Sequence, residues 1–132
     1  MSNFWKNKNV SITGGDGFLG KYVRKRLEQR NCKKISVVDH KKYNLVDIRG
    51  VKRMYDDQKP NIVFHLAAVV GGIGINQKNP GKFFYENAMI NLQVMHEGYL
   101  HKIEKIIEGE GLDEIIDNLI LKDRIDKLEE NE

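Results

Sequence analysis

The sequence predicts an α/β fold: a truncated, Rossmann-like doubly wound parallel sheet with a C-terminal helical tail. Three observations point there. Short β-branched runs alternate with amphipathic segments through residues 1–108. A glycine-rich stretch, SITGGDGFLGKY (11–22), stands where the first strand would hand over to the first helix. The run NIVFHLAA (61–68) is almost wholly apolar, as a strand covered on both faces must be.

Each element has its own reason. KNVSIT (8–13) is short, carries β-branched side chains and meets glycines at once, which predicts strand 1. From Phe18 to about Gln29, Leu19, Val23 and Leu27 recur four apart with basic residues between them, the pattern of an amphipathic helix. ISVVDH (35–40) predicts a second strand ending in a carboxylate. Ile48, Val51 and Tyr55 give helical spacing from Ile48 to Gln58, and this helix stops before Pro60 because the residue preceding a proline avoids the helical region. NIVFHLAA predicts strand 3, and Gly71, Gly72 and Gly74 mark a loop after it. Pro80 opens a long helix to about His101, with Phe84, Ala88, Leu92 and Met95 on one face. KIIE (105–108) begins a fourth strand. The order β-α-β-α-β-α-β predicts one hand of crossover throughout.

Composition sets the bounds. A chain of 132 residues with 40% hydrophobic and 31% charged residues suits one globular unit, read here as a domain at 1–108 and an acidic tail at 109–132. No apolar run is long enough to span a bilayer and the N-terminus lacks a signal-peptide core, so a cytoplasmic protein is expected. The single cysteine, Cys32, excludes an intramolecular disulfide and suits a reducing compartment. Residues 106–132 hold three basic and ten acidic side chains, a net of −7, which leaves +10 for residues 1–105. The basic part has no dense Lys/Arg stretch interleaved with aromatics, which argues against nucleic acid as a partner.

The glycine stretch carries chemistry. Between a strand and a helix, one glycine permits the tight turn, another lets a pyrophosphate approach the backbone, and a third lets helix and strand pack closely. The helix N-terminus then offers free N–H donors and a positive dipole end to phosphate. Asp39 closes the second strand 19 residues after Gly20, where a carboxylate accepts hydrogen bonds from an adenosine ribose. That carboxylate favours the free 2′-hydroxyl of NAD and repels the 2′-phosphate of NADP, while His40, Lys41 and Lys42 offer charge to offset a phosphate. NAD is favoured, with NADP the alternative.

TGGDGFLG (13–20), Asp47-Ile48, HLAA (65–68) and Tyr85-x-Asn87 resemble the cofactor half of the extended short-chain dehydrogenase/reductases. VVGGI (69–73) with NPGKFFYENAMINLQVMHEG (79–98) resembles the GDP-L-fucose synthase branch more specifically, epimerase-reductases that act on a GDP-sugar. The resemblance covers about residues 8–108. It implies that Gly14, Gly17, Phe18, Leu19 and Gly20 surround the pyrophosphate, that Asp39 faces the adenosine ribose, and that Asp47 and Ile48 flank the adenine. It further implies that Leu66, Ala67, Ala68 and Val70 line the path to the nicotinamide ribose, supported by Asn87, with Gly71, Gly72 and Ile73 bordering the substrate. The family's catalytic Tyr-x-x-x-Lys does not follow strand 4, where no tyrosine occurs at all. Tyr55 with Lys59 matches the spacing only in the wrong place. No catalytic residue is therefore assigned.

The remaining candidates read plainly. His40, His65, His96 and His101 have no metal-ligand spacing, so no metal is expected, and His65 reads as a satisfied core histidine. Cys32 reads as an ordinary thiol and Trp5 as a packing anchor. In the tail, Leu112, Ile115, Ile116, Leu119 and Ile120 form one apolar stripe, and Leu121, Ile125 and Leu128 another roughly opposite. The expected activity is binding of NAD(H) or NADP(H) without independent turnover. Two readings stand beside it: an oligomerising scaffold with a vestigial pocket, joined through the C-terminal helix, or half of an epimerase/reductase that a partner chain completes for a GDP-sugar.

Overall fold

The computed structural model describes residues 4–67, 80–108 and Leu128. A short 3-10 turn (Trp5–Asn7) leads into β1 (Asn9–Thr13), followed by α1 (Phe18–Gln29), β2 (Lys34–Val38), α2 (Ile48–Gln58), β3 (Ile62–His65), α3 (Pro80–Leu100) and β4 (Lys105–Ile107). The four strands form one parallel sheet in the order β2-β1-β3-β4. The expected α/β Rossmann-like class is what the structure shows. The expected helical tail lies outside the described residues, apart from Leu128.

The pleat of β1 sorts its side chains between two layers. Val10 and Ile12 pack with Ile62, Phe64 and Ile107 of the neighbouring strands against Val23 and Leu27 of α1, and Trp5 seals the lower end. Trp5 meets the Phe4 ring edge-on at 4.9 Å and the Phe64 ring at 6.3 Å, so it is the packing anchor that the sequence suggested. On the other face Val63 packs with Val51, Met54 and Tyr55 of α2 and Ile90 and Val94 of α3. Ser11 and Thr13 belong to this second face and are buried, so each needs a partner. Ser11 Oγ donates to Gln58 Oε1 at 2.6 Å, and the Thr13 hydroxyl meets His65 Nδ1 at 2.7 Å.

Several element limits differ from the expected ones. β2 ends at Val38, so Asp39 and His40 open the following turn instead of closing the strand. There Asp39 Oδ1 accepts the Lys41 N–H at 2.9 Å and the Asp39 carbonyl accepts the N–H groups of Lys42 and Tyr43. β3 ends at His65: the Leu66 N–H still reaches the Thr13 carbonyl at 3.1 Å, shared with the Thr13 hydroxyl at 3.0 Å, and the Ala67 N–H turns to that hydroxyl. β1 begins at Asn9, β4 ends at Ile107 and α3 ends at Leu100.

The apolar face of α3 read from the sequence, Phe84, Ala88, Leu92 and Met95, is not the buried one: Phe84 is 78% and Leu92 66% exposed. The buried stripe is Ile90, Gln93, Val94, Glu97 and Gly98. It contains two polar residues that the fold satisfies. Gln93 Nε2 donates to the carbonyls of Leu45 and Val46 at 2.9 and 2.8 Å, tying α3 to the loop after β2. Periodicity alone does not separate two stripes on one helix, and the more apolar one lies outward here.

The lower end of this layer holds a polar knot. The His101 ring stacks on Tyr55 at 5.1 Å, its Nε2 is 3.1 Å from Asp56 Oδ1, and its Nδ1 is 2.7 Å from the Glu97 carbonyl oxygen. Burial pulls the imidazole pKa down, but the Glu97 carbonyl and the Asp56 carboxylate outweigh it, with a further push from the Glu97 charge, and the net direction is up. A raised folded pKa means stabilisation that is whole below the unfolded value of 6.5 and disappears as pH rises through the folded one. Thermal melts across pH 5.5–8.5 should therefore show stability declining on the alkaline side through this step. His101→Gln should flatten that part of the profile.

Candidate dinucleotide crevice

The chain leaves β1 for β2 on one side and later returns to β3 on the other. The C-terminal ends of β1 and β3 thus flank a switch point, where open α/β sheets bind their ligands. A cavity of about 310 Å³ lies there, lined by Gly14, Gly15, Asp16, Gly17, Val38, His40, Leu45, Leu66 and Ala67.

The glycines differ in what they do. Gly14 has φ +71°, and a Cβ there would sit 2.9 Å from the Leu66 carbonyl and the Ala67 nitrogen, so the turn lies directly against the end of β3. A Cβ on Gly20 would run into the Gly14 carbonyl oxygen and the Gly15 backbone, so α1 approaches the turn as closely as backbones allow. Gly17 is the exception. Its φ of −76° suits any residue, and a Cβ would meet only the Gly14 oxygen, at an ordinary 3.4 Å. No described protein group requires a glycine at 17, while a ligand lying on the backbone would. Gly17 is also the N-cap of α1 and supplies no side-chain bond to the helix start. The first-turn N–H groups are thereby left for an acceptor from outside.

Of the residues singled out from sequence, Gly14, Gly17, Leu66 and Ala67 line the cavity together. Phe18 and Leu19 open α1, with Phe18 92% exposed. Asp39 is exposed at the rim, with one oxygen held by the Lys41 N–H. Asp47 caps α2 by accepting the Arg49 N–H at 2.9 Å and pairs with its guanidinium at 2.8 Å. Those hydrogen bonds bring the Asp47 carboxyl down to about 2. Asp47 and the partly exposed Ile48 lie outside the cavity lining, whereas Leu45, which the sequence reading did not single out, is buried in it. Asn87 sits on α3 one turn before Asn91, whose Oδ1 is 2.7 Å from His65 Nε2, so it lies on the α3 face turned toward the end of β3. Ala68, Val70, Gly71, Gly72 and Ile73 lie outside the described residues.

Two residues in the lining carry charge or the capacity for it. His40 follows Asp39 into the cavity wall, and Asp16 places a carboxylate within the turn itself. Neither was legible as a wall residue, because their approach depends on where β2 stops and how the turn folds. Elsewhere, Tyr55 is buried with its hydroxyl donating to the Val94 carbonyl at 2.7 Å, near the opposite end of the sheet from the glycine turn. Burial, reinforced by the Glu97 charge, pushes its pKa well up, which is no property of a working acid. Cys32 donates to the Lys8 carbonyl at 3.2 Å, and burial pushes its thiol up as well. Among the described residues no cluster of His, Cys, Asp and Glu is placed to hold a metal ion. No helix of the described residues is long and apolar enough to cross a membrane.

A family model for the NAD dependent epimerase/dehydratase family matches residues 10–109. The chain belongs to that family. It is 31% identical to GDP-L-fucose synthase of Escherichia coli (strain K12) over 100 residues, which cover 76% of this chain and 31% of that protein. GDP-L-fucose synthase 1 of Arabidopsis thaliana is 26% identical over 102 residues, covering 77% of this chain and 32% of its own length. The chain thus spans about a third of the length of the curated relatives it matches. Among solved structures, a GDP-mannoheptose C4 reductase from Campylobacter jejuni with NADP bound superposes with a TM-score of 0.72 at 26% identity, covering 78% of this chain and 32% of that one. The resemblance to the GDP-L-fucose synthase branch read from residues 61–98 agrees with these matches.

The glycine geometry makes a sharp contrast testable. Gly20→Ala forces α1 off the turn and should cost about 1–3 kcal/mol in chemical denaturation. Gly17→Ala should leave stability within about 0.5 kcal/mol of the parent chain.

Proposed function

We propose that this chain binds a nicotinamide dinucleotide at the switch-point crevice. The observation that carries the reading is Gly17, a glycine with no steric reason inside the described protein, set at an uncapped helix N-terminus over an open cavity. The pyrophosphate lies across Gly14–Gly17 and the start of α1. Val38 and Leu45 supply an apolar wall for the adenine, in place of Asp47 and Ile48. Leu66 and Ala67 lead toward the nicotinamide. When bound, the dinucleotide supplies a hydride donor or acceptor.

The proposal favours NAD over NADP. Asp39 lies just past β2 with one carboxylate oxygen fixed by the Lys41 N–H, which leaves the other for ribose hydroxyls and sets a negative charge where a 2′-phosphate would go. His40 in the wall is the feature that favours NADP instead.

Turnover of a GDP-sugar, the class named in the relatives, requires an acid/base that this sequence does not supply in the family's position. In this proposal residues 8–108 bind cofactor, and catalysis needs groups from outside them. A second reading rests on α3: its outward Phe84, Leu92, Met95 and Tyr99 make an apolar surface suited to an oligomerising scaffold.

Calorimetric titration with NAD⁺, NADH, NADP⁺ and NADPH separates these readings. Micromolar binding that vanishes in Gly17→Trp is the expected result, with NAD(H) the tighter pair and Asp39→Asn narrowing the gap. No heat from any of the four at millimolar ligand, together with a mass that rises with concentration, would replace cofactor binding by the scaffold. Asp16→Asn should tighten dinucleotide binding a few-fold, more at low salt than at high, since it removes a like charge beside the pyrophosphate.

A further inference from the structure

The buried histidine beside the crevice has a partner set that selects one tautomer. Thr13 Oγ1 accepts the N–H groups of Leu66 and Ala67, each at 3.0 Å, the Leu66 N–H being shared with the Thr13 carbonyl at 3.1 Å. A hydroxyl has two acceptor sites and one proton, so both acceptor sites are filled. Its proton then has one described destination, His65 Nδ1 at 2.7 Å. Nδ1 must therefore be bare, and a neutral ring carries its proton on Nε2. That nitrogen lies 2.7 Å from Asn91 Oδ1 on α3, which accepts it. His65 is 4% exposed and Thr13 wholly buried, so water does not readily substitute for a lost partner.

We propose that His65 is a positioning residue for dinucleotide binding. As the Nε2–H tautomer it takes the Thr13 proton, and so keeps that hydroxyl turned to receive the Leu66 N–H, which it shares with the Thr13 carbonyl, and the Ala67 N–H, which it draws away from the β3 ladder. Those two residues form the wall beside Gly14, so close that a Cβ on Gly14 would come within 2.9 Å of their backbone. Asn91 at the far end holds the ring and links α3 to the same wall. The histidine touches no ligand. It sets the register between the end of β3 and the glycine turn, and does so through one tautomer. The ligand consequence rests on the proposed dinucleotide site, whereas the tautomer and the Leu66–Ala67 anchoring do not.

The experiment has a ligand-free arm and a binding arm. Nitrogen-detected NMR of the parent chain should show His65 with an unprotonated Nδ1 and a protonated Nε2. Amide exchange at Ala67 should be slow, and should speed up at least tenfold in His65→Phe beyond any change shown by the α1 amides, while Leu66, which keeps the Thr13 carbonyl, should change less. His65→Asn offers an acceptor near the Nδ1 position and should restore most of the protection. Thr13→Ser should likewise behave as the parent and Thr13→Val as His65→Phe. In the binding arm His65→Phe should weaken NAD roughly tenfold or more, with His65→Asn recovering most of it. A proton found on Nδ1, or parent-like exchange in both His65→Phe and Thr13→Val, would overturn the proposal even if the chain binds NAD tightly. A failure of every dinucleotide to bind would sink the cofactor reading, while the NMR and exchange results would still decide what His65 does. Should His65→Phe not fold, the parent tautomer and the Thr13→Ser and Thr13→Val pair decide the question.

Discussion

The contact on which the rest of this structure depends is the approach of α1 to the end of β1. Gly20 leaves no room for a side chain between the helix and the Gly14–Gly15 backbone, and that proximity aims the start of α1 at the switch point. A side chain at 20 would push the start of α1, and its first-turn N–H groups, away from the Gly14–Gly15 turn. Gly14, turned to positive φ, holds the same turn against Leu66 and Ala67. Two absent side chains therefore fix three elements relative to one another, and the crevice is the space they enclose.

The two faces of the sheet solve different problems. The α1 face is apolar throughout, from Trp5 to Ile107. The α2–α3 face carries Ser11, Thr13, His65, Gln93 and Glu97 inside it. The bonds of Ser11 to Gln58, Thr13 to His65 and Gln93 to the Leu45 and Val46 carbonyls are directional, and they link elements far apart in sequence. Hydrophobic contact alone tolerates sliding, while such bonds specify one register for helix against strand.

Much of the framework was legible in the residues. The β-branched runs, the Leu19–Val23–Leu27 spacing and Pro60 located every strand and helix of the sheet, because these signals are local. The glycine turn was legible for the same reason, since a strand, three spaced glycines and a helix lie within one short stretch. What escaped depends on contacts that local pattern does not encode. The buried side of α3 is settled by the carbonyls of Leu45 and Val46 and by Tyr55, which accept or cover its polar residues, so a stripe containing Gln93 and Glu97 outranked a more apolar one. Asp39 was read as the last residue of a strand because nothing local shows that its own carboxylate starts the next turn. Leu45 in the cavity wall and Asn91 at the His65 ring arise from neighbours dozens of residues away.

The position of β1 has a consequence for how the chain reaches this structure. It is made before the other three described strands and is an interior one, with β2 on one side and β3 on the other. In a parallel sheet neither partner is reached by a hairpin, so each pairing waits for an entire helix to be synthesised. During translation Val10 and Ile12 emerge well before Ile35 and Val37, and longer still before Ile62 and Phe64, which complete the ladder. The nascent chain thus carries this interior strand unpaired until both of its neighbours have been made. The polar and basic α1 that follows immediately, with Val23 and Leu27 spaced to cover one side of that strand, is the first shelter available to it.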